Sequence, residues 1–225
     1  LIMATYKDLI GTAVRNNAGN LSSDQKDQIF YDSTNLDFKY QFAATATAWR
    51  SQSSMNTARE YTAASNSGTA TATIVFGGNP NLANAEVWDG SSWTEVGDLN
   101  TTRSSLAGAG IYTSALGFGG NDPPATAVTE SWNGSAWTEV ADLNTARSAL
   151  AGVGASNTSA LAFGGNLYAQ TETWNGSSWT EVADLNDSRE WLAGAGNVSA
   201  AVGFGGQSPG YTANTELWNG SSWTE

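Results

Sequence analysis

Two charged residues recur at fixed places along this chain. Arg59, Arg103, Arg147 and Arg189 hold one repeat position, and Glu86, Glu130, Glu172 and Glu216 hold another. Arginines gathered round one pocket would clamp the carboxylate of an acidic sugar. Paired acids, Glu95/Asp98, Glu139/Asp142 and Glu181/Asp184, have the residue types for glycoside hydrolysis or for Ca²⁺. Both sets recur from unit to unit, however. A residue present in every unit serves the unit, whereas an active site breaks the repeat. We therefore read each arginine as the partner of a carboxylate or carbonyl within or between units, and the paired acids as solvated loop residues. The sequence contains no histidine and no cysteine, which removes the commonest general base and the commonest transition-metal ligands. No catalytic residue, metal site or cofactor is assigned.

The elements that must position these residues are written in the repeat itself. Residues 172–189 read E-T-W-N-G-S-S-W-T-E-V-A-D-L-N-D-S-R, and versions of this stretch occur four times. The tryptophan pairs are Trp88/Trp93, Trp132/Trp137, Trp174/Trp179 and Trp218/Trp223, and a degenerate half copy surrounds Trp49. Counted on the second tryptophan, the spacing is 44, 44, 42 and 44 residues, a period typical of repeat architectures. Asn175-Gly176, with Asp89-Gly90 in the first full copy, is a hairpin signal because both residues tolerate positive φ. The indoles flanking it are placed to pair across the two strands. Asn133, Asn175 and Asn219 also begin Asn-Gly-Ser sequons, which read as hairpin turns first.

A second strand of each unit ends in a diglycine: Gly77-Gly78, Gly119-Gly120, Gly164-Gly165 and Gly205-Gly206. Such a pair suggests positive φ or close approach of another backbone. In the unit 189–225 we expect strands near 191–196, 199–204, 215–218 and from Trp223 onward. Four short strands per unit predict an all-β chain of four-stranded blades. The expected divisions are a half unit at 43–58 and units at 59–102, 103–146, 147–188 and 189–225. The chain stops inside a fourth strand, so the polypeptide is expected to continue past Glu225; a small ring is the alternative.

Residues 1–42 differ in character. They hold four basic and five acidic residues, whereas the remainder holds five arginines and sixteen acids. Leu36, Phe38, Tyr40 and Phe42 alternate with polar residues after the Asp32-Ser33-Thr34-Asn35 turn, so a β-hairpin with one apolar face is expected. Residues 4–27 are mixed and fit a short helix or an extended arm. No apolar run reaches the length of a signal peptide or a membrane span. The net charge of −12 opposes binding to nucleic acid or to an anionic membrane surface.

The order strand, Gly-Gly, variable loop, Glu-x-Trp, turn, Trp-Thr-Glu, then Leu-Asn-Thr-Ala-Arg resembles the kelch repeat. Met55-Asn56-Thr57-Ala58-Arg59 and Leu143-Asn144-Thr145-Ala146-Arg147 carry the linking motif. The resemblance implies kelch-like β-propeller blades preceded by a small N-terminal hairpin or anchor. The near-identical units, rich in Ala, Ser, Thr and Gly, resemble those in tail-fibre and other virion proteins of tailed bacteriophages. Residues 28–34 also resemble short phage-fibre segments. Sialidases carry a Ser-x-Asp-x-Gly-x-x-Trp box that is missing here, and kelch-type copper oxidases need His and Cys ligands.

The resemblance implies a non-enzymatic fibre or appendage protein of a phage particle. Residues 1–42 would attach it to other virion proteins or build a homo-oligomer, and the blades would present a surface to a host glycan or protein receptor. A filament protein without a ligand, in a virion or on an extracellular surface, is the alternative; a carbohydrate-active enzyme is the second. Positions that vary between units are the candidates for recognition, because exposed loops on a rigid scaffold usually carry it. They comprise the residue two past each repeated arginine (Tyr61, Ser105, Ala149, Trp191) and the loops after the diglycines, with Tyr168, Gln170 and Tyr211. Tyr61, Tyr168, Gln170, Trp191 and Tyr211 are the candidate ligand-binding residues: flat aromatic faces for stacking on a sugar ring, and an amide for hydrogen bonding.

Overall fold

A computed structural model describes residues 15–17, 29–32, 37–40, 51–121 and 123–225. The chain divides into two units, Leu1–Ser51 and Gln52–Glu225. In the first, β1 (Arg15–Asn17), β2 (Ile29–Asp32) and β3 (Asp37–Tyr40) form a sheet in that order. β2 and β3 pair antiparallel, with Asp32 opposite Asp37. β1 joins β2 in parallel, a pairing that the mixed composition around it does not announce. Residues 43–50 of the half unit, Trp49 among them, and most of residues 4–27 lie outside the described residues.

The second unit contains four antiparallel four-stranded sheets, and no helix occurs among the described residues. The first sheet is β4 (Ala63–Ala64), β5 (Thr73–Phe76), β6 (Ala85–Trp88) and β7 (Trp93–Val96). The second is β8 (Ala107–Ile111), β9 (Ser114–Phe118), β10 (Thr129–Trp132) and β11 (Trp137–Val140). The third is β12 (Ala151–Ser156), β13 (Ser159–Phe163), β14 (Thr171–Trp174) and β15 (Trp179–Glu181). The fourth is β16 (Ala193–Asn197), β17 (Ala200–Phe204), β20 (Thr215–Trp218) and β21 (Trp223–Thr224), with a small hairpin, β18 (Gln207–Ser208) and β19 (Gly210–Tyr211), between its second and third strands. Each sheet is a simple meander. The first strands lie side by side: β8 packs against β4 and β12, and β12 against β16.

The Asn-Gly hairpin forms, but not as two positive-φ residues. Gly176 alone takes positive φ, at 96°. Asn175 acts through its side chain, whose Oδ1 accepts the N–H groups of Ser177 at 2.9 Å and Ser178 at 3.0 Å. This is the Asx-turn chemistry of asparagine and aspartate, and Asp89 repeats it with Ser91 and Ser92. The four-residue loop brings Trp174 opposite Trp179, ring centroids 5.4 Å apart. The same pairing recurs in the other three sheets.

Three apolar cores fill the seams between consecutive sheets. At each seam a phenylalanine from one sheet meets the second tryptophan of the next: Phe76–Trp137 at 4.7 Å, Phe118–Trp179 at 4.9 Å and Phe163–Trp223 at 4.8 Å. All three phenyl rings are fully buried. Complete burial of such a ring stabilises by about 1.5–3 kcal/mol, and an edge-on aromatic contact adds ~1 kcal/mol. Trp179 Nε1 donates to Thr129 Oγ1 and Trp223 Nε1 to Thr171 Oγ1, both at 3.0 Å. Ala85 stands where those threonines would be for the first seam, and Trp137 Nε1 is left without a partner.

The first glycine of the first three diglycines, Gly77, Gly119 and Gly164, sits where the next sheet's linker crosses. Gly119 has φ +64°, and a Cβ there would lie 2.6 Å from the carbonyl oxygen of Arg147. Its neighbour, Gly120, donates its N–H to that same carbonyl at 2.9 Å. A side chain would therefore push two sheets apart as well as straining the backbone.

Candidate functional site

The repeated charges form a buried brace in each sheet. Arg103 Nη2 lies 3.0 Å from Glu130 Oε1, Arg147 Nη2 2.9 Å from Glu172 Oε1, and Arg189 Nη2 2.6 Å from Glu216 Oε1. Arg59 pairs with Glu86 in the same way. The other Nη of Arg147 donates to the carbonyls of Gly164 at 3.2 Å and Gln170 at 2.5 Å. The second carboxylate oxygen is also engaged. Glu172 Oε2 accepts the backbone N–H and the side-chain N–H of Asn144, at 2.8 and 2.7 Å. Asn56, Asn100 and Asn186 do the same for their glutamates.

Burial pushes the Arg103 and Arg147 guanidiniums below their ordinary range, and the facing glutamates oppose that shift. Burial would raise Glu86, but the N–H groups of Asn56 and Thr57 and the Arg59 charge outweigh it and hold the carboxyl low. Each arginine thus spends both Nη groups, and each glutamate both carboxylate oxygens, inside the fold, while the buried Nε of each arginine makes no hydrogen bond among the described residues. Three of the paired acids are occupied as well: Asp142 and Asp184 accept the N–H groups of Thr129 and Thr171 at 3.1 Å, and Glu95 accepts the Asn84 side-chain N–H at 2.7 Å.

The variable position behaves differently. Tyr61, Ser105, Ala149 and Trp191 all adopt left-handed backbone, with φ between 53° and 56°. Few non-glycine residues do so, and four different side chains here share it, so the repeat backbone sets the geometry. A ladder of backbone bonds ties them together. Ser105 N donates to Tyr61 O at 2.9 Å, Ala149 N to Ser105 O at 2.9 Å, and Trp191 N to Ala149 O at 2.8 Å. All four line one pocket of about 240 Å³, with Thr62, Leu106, Leu150 and Leu192 as its remaining wall.

Tyr61 and Trp191, from the first and last sheets, meet at this pocket with ring centroids 5.2 Å apart. About half of each side chain remains exposed, 51% and 49%. They stand 130 positions apart in the sequence, which gives no signal that they touch. Ser105 and Ala149 between them are too small to fill the space, which is what leaves an open mouth.

The other candidates lie elsewhere. Tyr168 is partly exposed in the loop between β13 and β14, and its carbonyl accepts the N–H of Arg189 at 3.2 Å. Gln170, in the same loop, has a buried Oε1 and gives its backbone carbonyl to Arg147. Tyr211 is 96% exposed in β19, opposite Gln207 of β18. Gln207 in turn exchanges backbone hydrogen bonds with Glu190, the residue before Trp191. The loops after the other diglycines begin beside the equivalent residues, through the Glu60–Asn79 and Ser104–Asn121 bridges. The variable loops and the pocket therefore share one end of the sheets. Tyr168, Gln170 and Tyr211 are not among the residues lining the pocket.

No family model matches the chain, and no curated protein matches it.

Proposed function

We propose that this is a non-enzymatic receptor-binding protein of a phage particle, built from kelch-like propeller blades, that attaches the particle to a host-surface glycan. One observation carries the reading: a linker position occupied by a different residue in each of the four units, Tyr61/Ser105/Ala149/Trp191, converges on a single pocket with an exposed aromatic from each end of the array. Aromatic faces flanking a shallow mouth of mixed polarity suit the C–H face of a sugar ring. The nearby loops, with Asn166, Gln207 and exposed Tyr168 and Tyr211, supply hydrogen-bonding groups at the same end. The engagement of the repeated arginines and glutamates in buried braces supports the non-enzymatic reading, since it removes them from a substrate. Virion location and attachment through residues 1–42 rest on the resemblance of the sequence to phage fibres.

The test is binding of the intact protein to a glycan array, followed by adsorption of particles carrying Trp191→Ala, Tyr168→Ala or both. We expect at least one change to weaken attachment about fivefold or more, equivalent to ~1 kcal/mol, with an unchanged melting profile. Parent-like adsorption of all three, with no glycan bound, would favour the ligand-free structural role.

A further inference from the structure

The Asn-Gly turns shape the hairpins, but their chemistry goes beyond that role. The dipeptide occurs three times, at Asn133-Gly134, Asn175-Gly176 and Asn219-Gly220, and every one of these residues is exposed. In each turn three donors converge on the asparagine Oδ1. Asn175 Oδ1 accepts the N–H and the hydroxyl of Ser177 at 2.9 and 2.8 Å and the N–H of Ser178 at 3.0 Å. Ser135 and Ala136 do the same for Asn133, at 2.9, 2.9 and 3.0 Å. Ser221 and Ser222 do so for Asn219, all at 2.9 Å. The glycine N–H that follows each asparagine has no hydrogen-bond partner among the described residues.

An amide carbon whose oxygen is held by N–H and O–H donors is open to attack, because those donors stabilise the negative charge that develops on that oxygen. The nucleophile is the glycine nitrogen next in the chain, and glycine brings no side chain to crowd it. That nitrogen bonds to Cγ and gives up its proton, the Cγ–Nδ2 bond breaks, and ammonia leaves with the proton, which closes a succinimide ring. One water then opens the ring. Cleavage between Cγ and the nitrogen yields aspartate; cleavage at the backbone carbonyl yields isoaspartate, with an extra methylene in the main chain. The first sheet shows that the turn holds an aspartate. Asp89 Oδ1 accepts the N–H and hydroxyl of Ser91 and the N–H of Ser92, all at 2.8 Å, and its second oxygen accepts the Ser92 hydroxyl at 3.2 Å. At Asn175 and Asn219 the equivalent serine hydroxyl instead accepts from the amide, at 3.4 and 3.2 Å, so rotation of that hydroxyl fits it to either side chain. Asn197 supplies the contrast: its Oδ1 accepts only two N–H groups, at 2.9 and 3.2 Å, and the β-branched Val198 follows it.

We infer that Asn133, Asn175 and Asn219 are sites of spontaneous deamidation in the folded protein, and that the turns retain the aspartate product in the arrangement Asp89 already shows. Each event exchanges a neutral amide for a carboxylate on an exposed hairpin tip, with water as the only co-reactant. The charge pattern of the hairpins therefore changes with the age of the molecule, from one acidic tip, at Asp89, toward an acidic tip on every sheet. The reaction needs neither a bound glycan nor a partner protein.

The experiment holds the full chain folded at mildly alkaline pH, denatures samples at intervals and cleaves them after arginine. Arg59, Arg103, Arg147 and Arg189 put each turn on its own peptide, and fragmentation mass spectrometry reads the exchange of amide for carboxyl at each asparagine. Asn133, Asn175 and Asn219 are expected to convert about tenfold faster than Asn197 or better, and faster in the folded chain than in urea. Ser177→Ala, which removes one donor to Oδ1, is expected to slow Asn175 about threefold and to leave Asn133 and Asn219 unchanged. Asn175→Asp in the full chain is expected to melt like the parent. Conversion no faster in the folded chain than in urea, or no faster than at Asn197, would overturn the sites. An unchanged Asn175 rate in Ser177→Ala would overturn the part given to the donors, and a clearly lower melting point for Asn175→Asp would overturn retention of the product.

Discussion

Replacing Glu172 by glutamine tests the buried brace without changing its shape. The side chain is 1% exposed and faces Arg147, which is 0% exposed. The charged pair is separated by 2.9 Å, and the second carboxylate oxygen accepts two N–H groups of Asn144 at 2.8 and 2.7 Å. Glutamine can offer one carbonyl oxygen and one NH₂ group. Whichever way it turns, an NH₂ meets either the Arg147 guanidinium or the two Asn144 donors, and Arg147 keeps a buried charge with only neutral carbonyl oxygens as partners. Removing one member of a buried ion pair costs about 3–5 kcal/mol, a large share of the ~5–15 kcal/mol by which a domain is stable. Urea unfolding followed by tryptophan fluorescence reads the change as a lower midpoint at unchanged slope. Glu181→Gln, on the exposed strand β15 of the same sheet, is the control and is expected to stay within ~0.5 kcal/mol. A Glu172→Gln loss no larger than the control's would refute the brace as the tie between linker and sheet.

Three further outcomes follow from the seams and turns. Gly165→Val places a side chain at φ +94° with its Cβ 2.6 Å from Ser148 O, so we expect a loss of more than ~1 kcal/mol in the same denaturation assay. Phe118→Ala is expected to cost about 3–5 kcal/mol by emptying a fully closed seat, while Phe204→Ala, at a side chain 42% exposed, is expected to cost ~1 kcal/mol or less; equal losses would contradict the assignment of seams. Acid should weaken the first sheet: Glu86 is held below the ordinary glutamate range, and Asp89 is lowered to about 2 by the Ser92 N–H and the Ser91 hydroxyl and N–H. A lowered carboxyl contributes stability above its unfolded pKa and loses it as pH falls through the folded value, so melts should be flat from neutrality down to about pH 5 and decline below ~4; Glu86→Gln should remove part of that decline.

Much of the scaffold was legible because the repeat states each local rule four times. The diglycines, the Asn-Gly turns and the tryptophan pairs are short-range signals, and the four-stranded antiparallel sheets follow from them. The hairpin turns were legible in place but not in mechanism: asparagine acts there through its side-chain oxygen, and only the glycine takes positive φ. Asn144 and its equivalents were read as part of a linking motif, and their grip on Glu172 depends on a contact 28 residues away. The meeting of Tyr61 with Trp191 is longer-range still, since it depends on how four sheets sit side by side. Ala85, which stands in the place of Thr129 and Thr171, carries no signal in the sequence; its consequence shows only when it is set against the Trp137 indole N–H, left without the acceptor that Trp179 and Trp223 find.

The central claim is that the variable end of the sheets binds sugar at the mouth between Tyr61 and Trp191. The most direct measurement is a ¹H–¹⁵N spectrum of the indole N–H groups during titration with a glycan identified on the array. Trp191, 49% exposed at the mouth, should shift in proportion to saturation, while the buried Trp174 and Trp218, whose N–H groups are held by the carbonyls of Asn157 and Val198, should stay in place. Saturable glycan binding that leaves the Trp191 resonance unmoved, or an array that retains no glycan, would contradict the account.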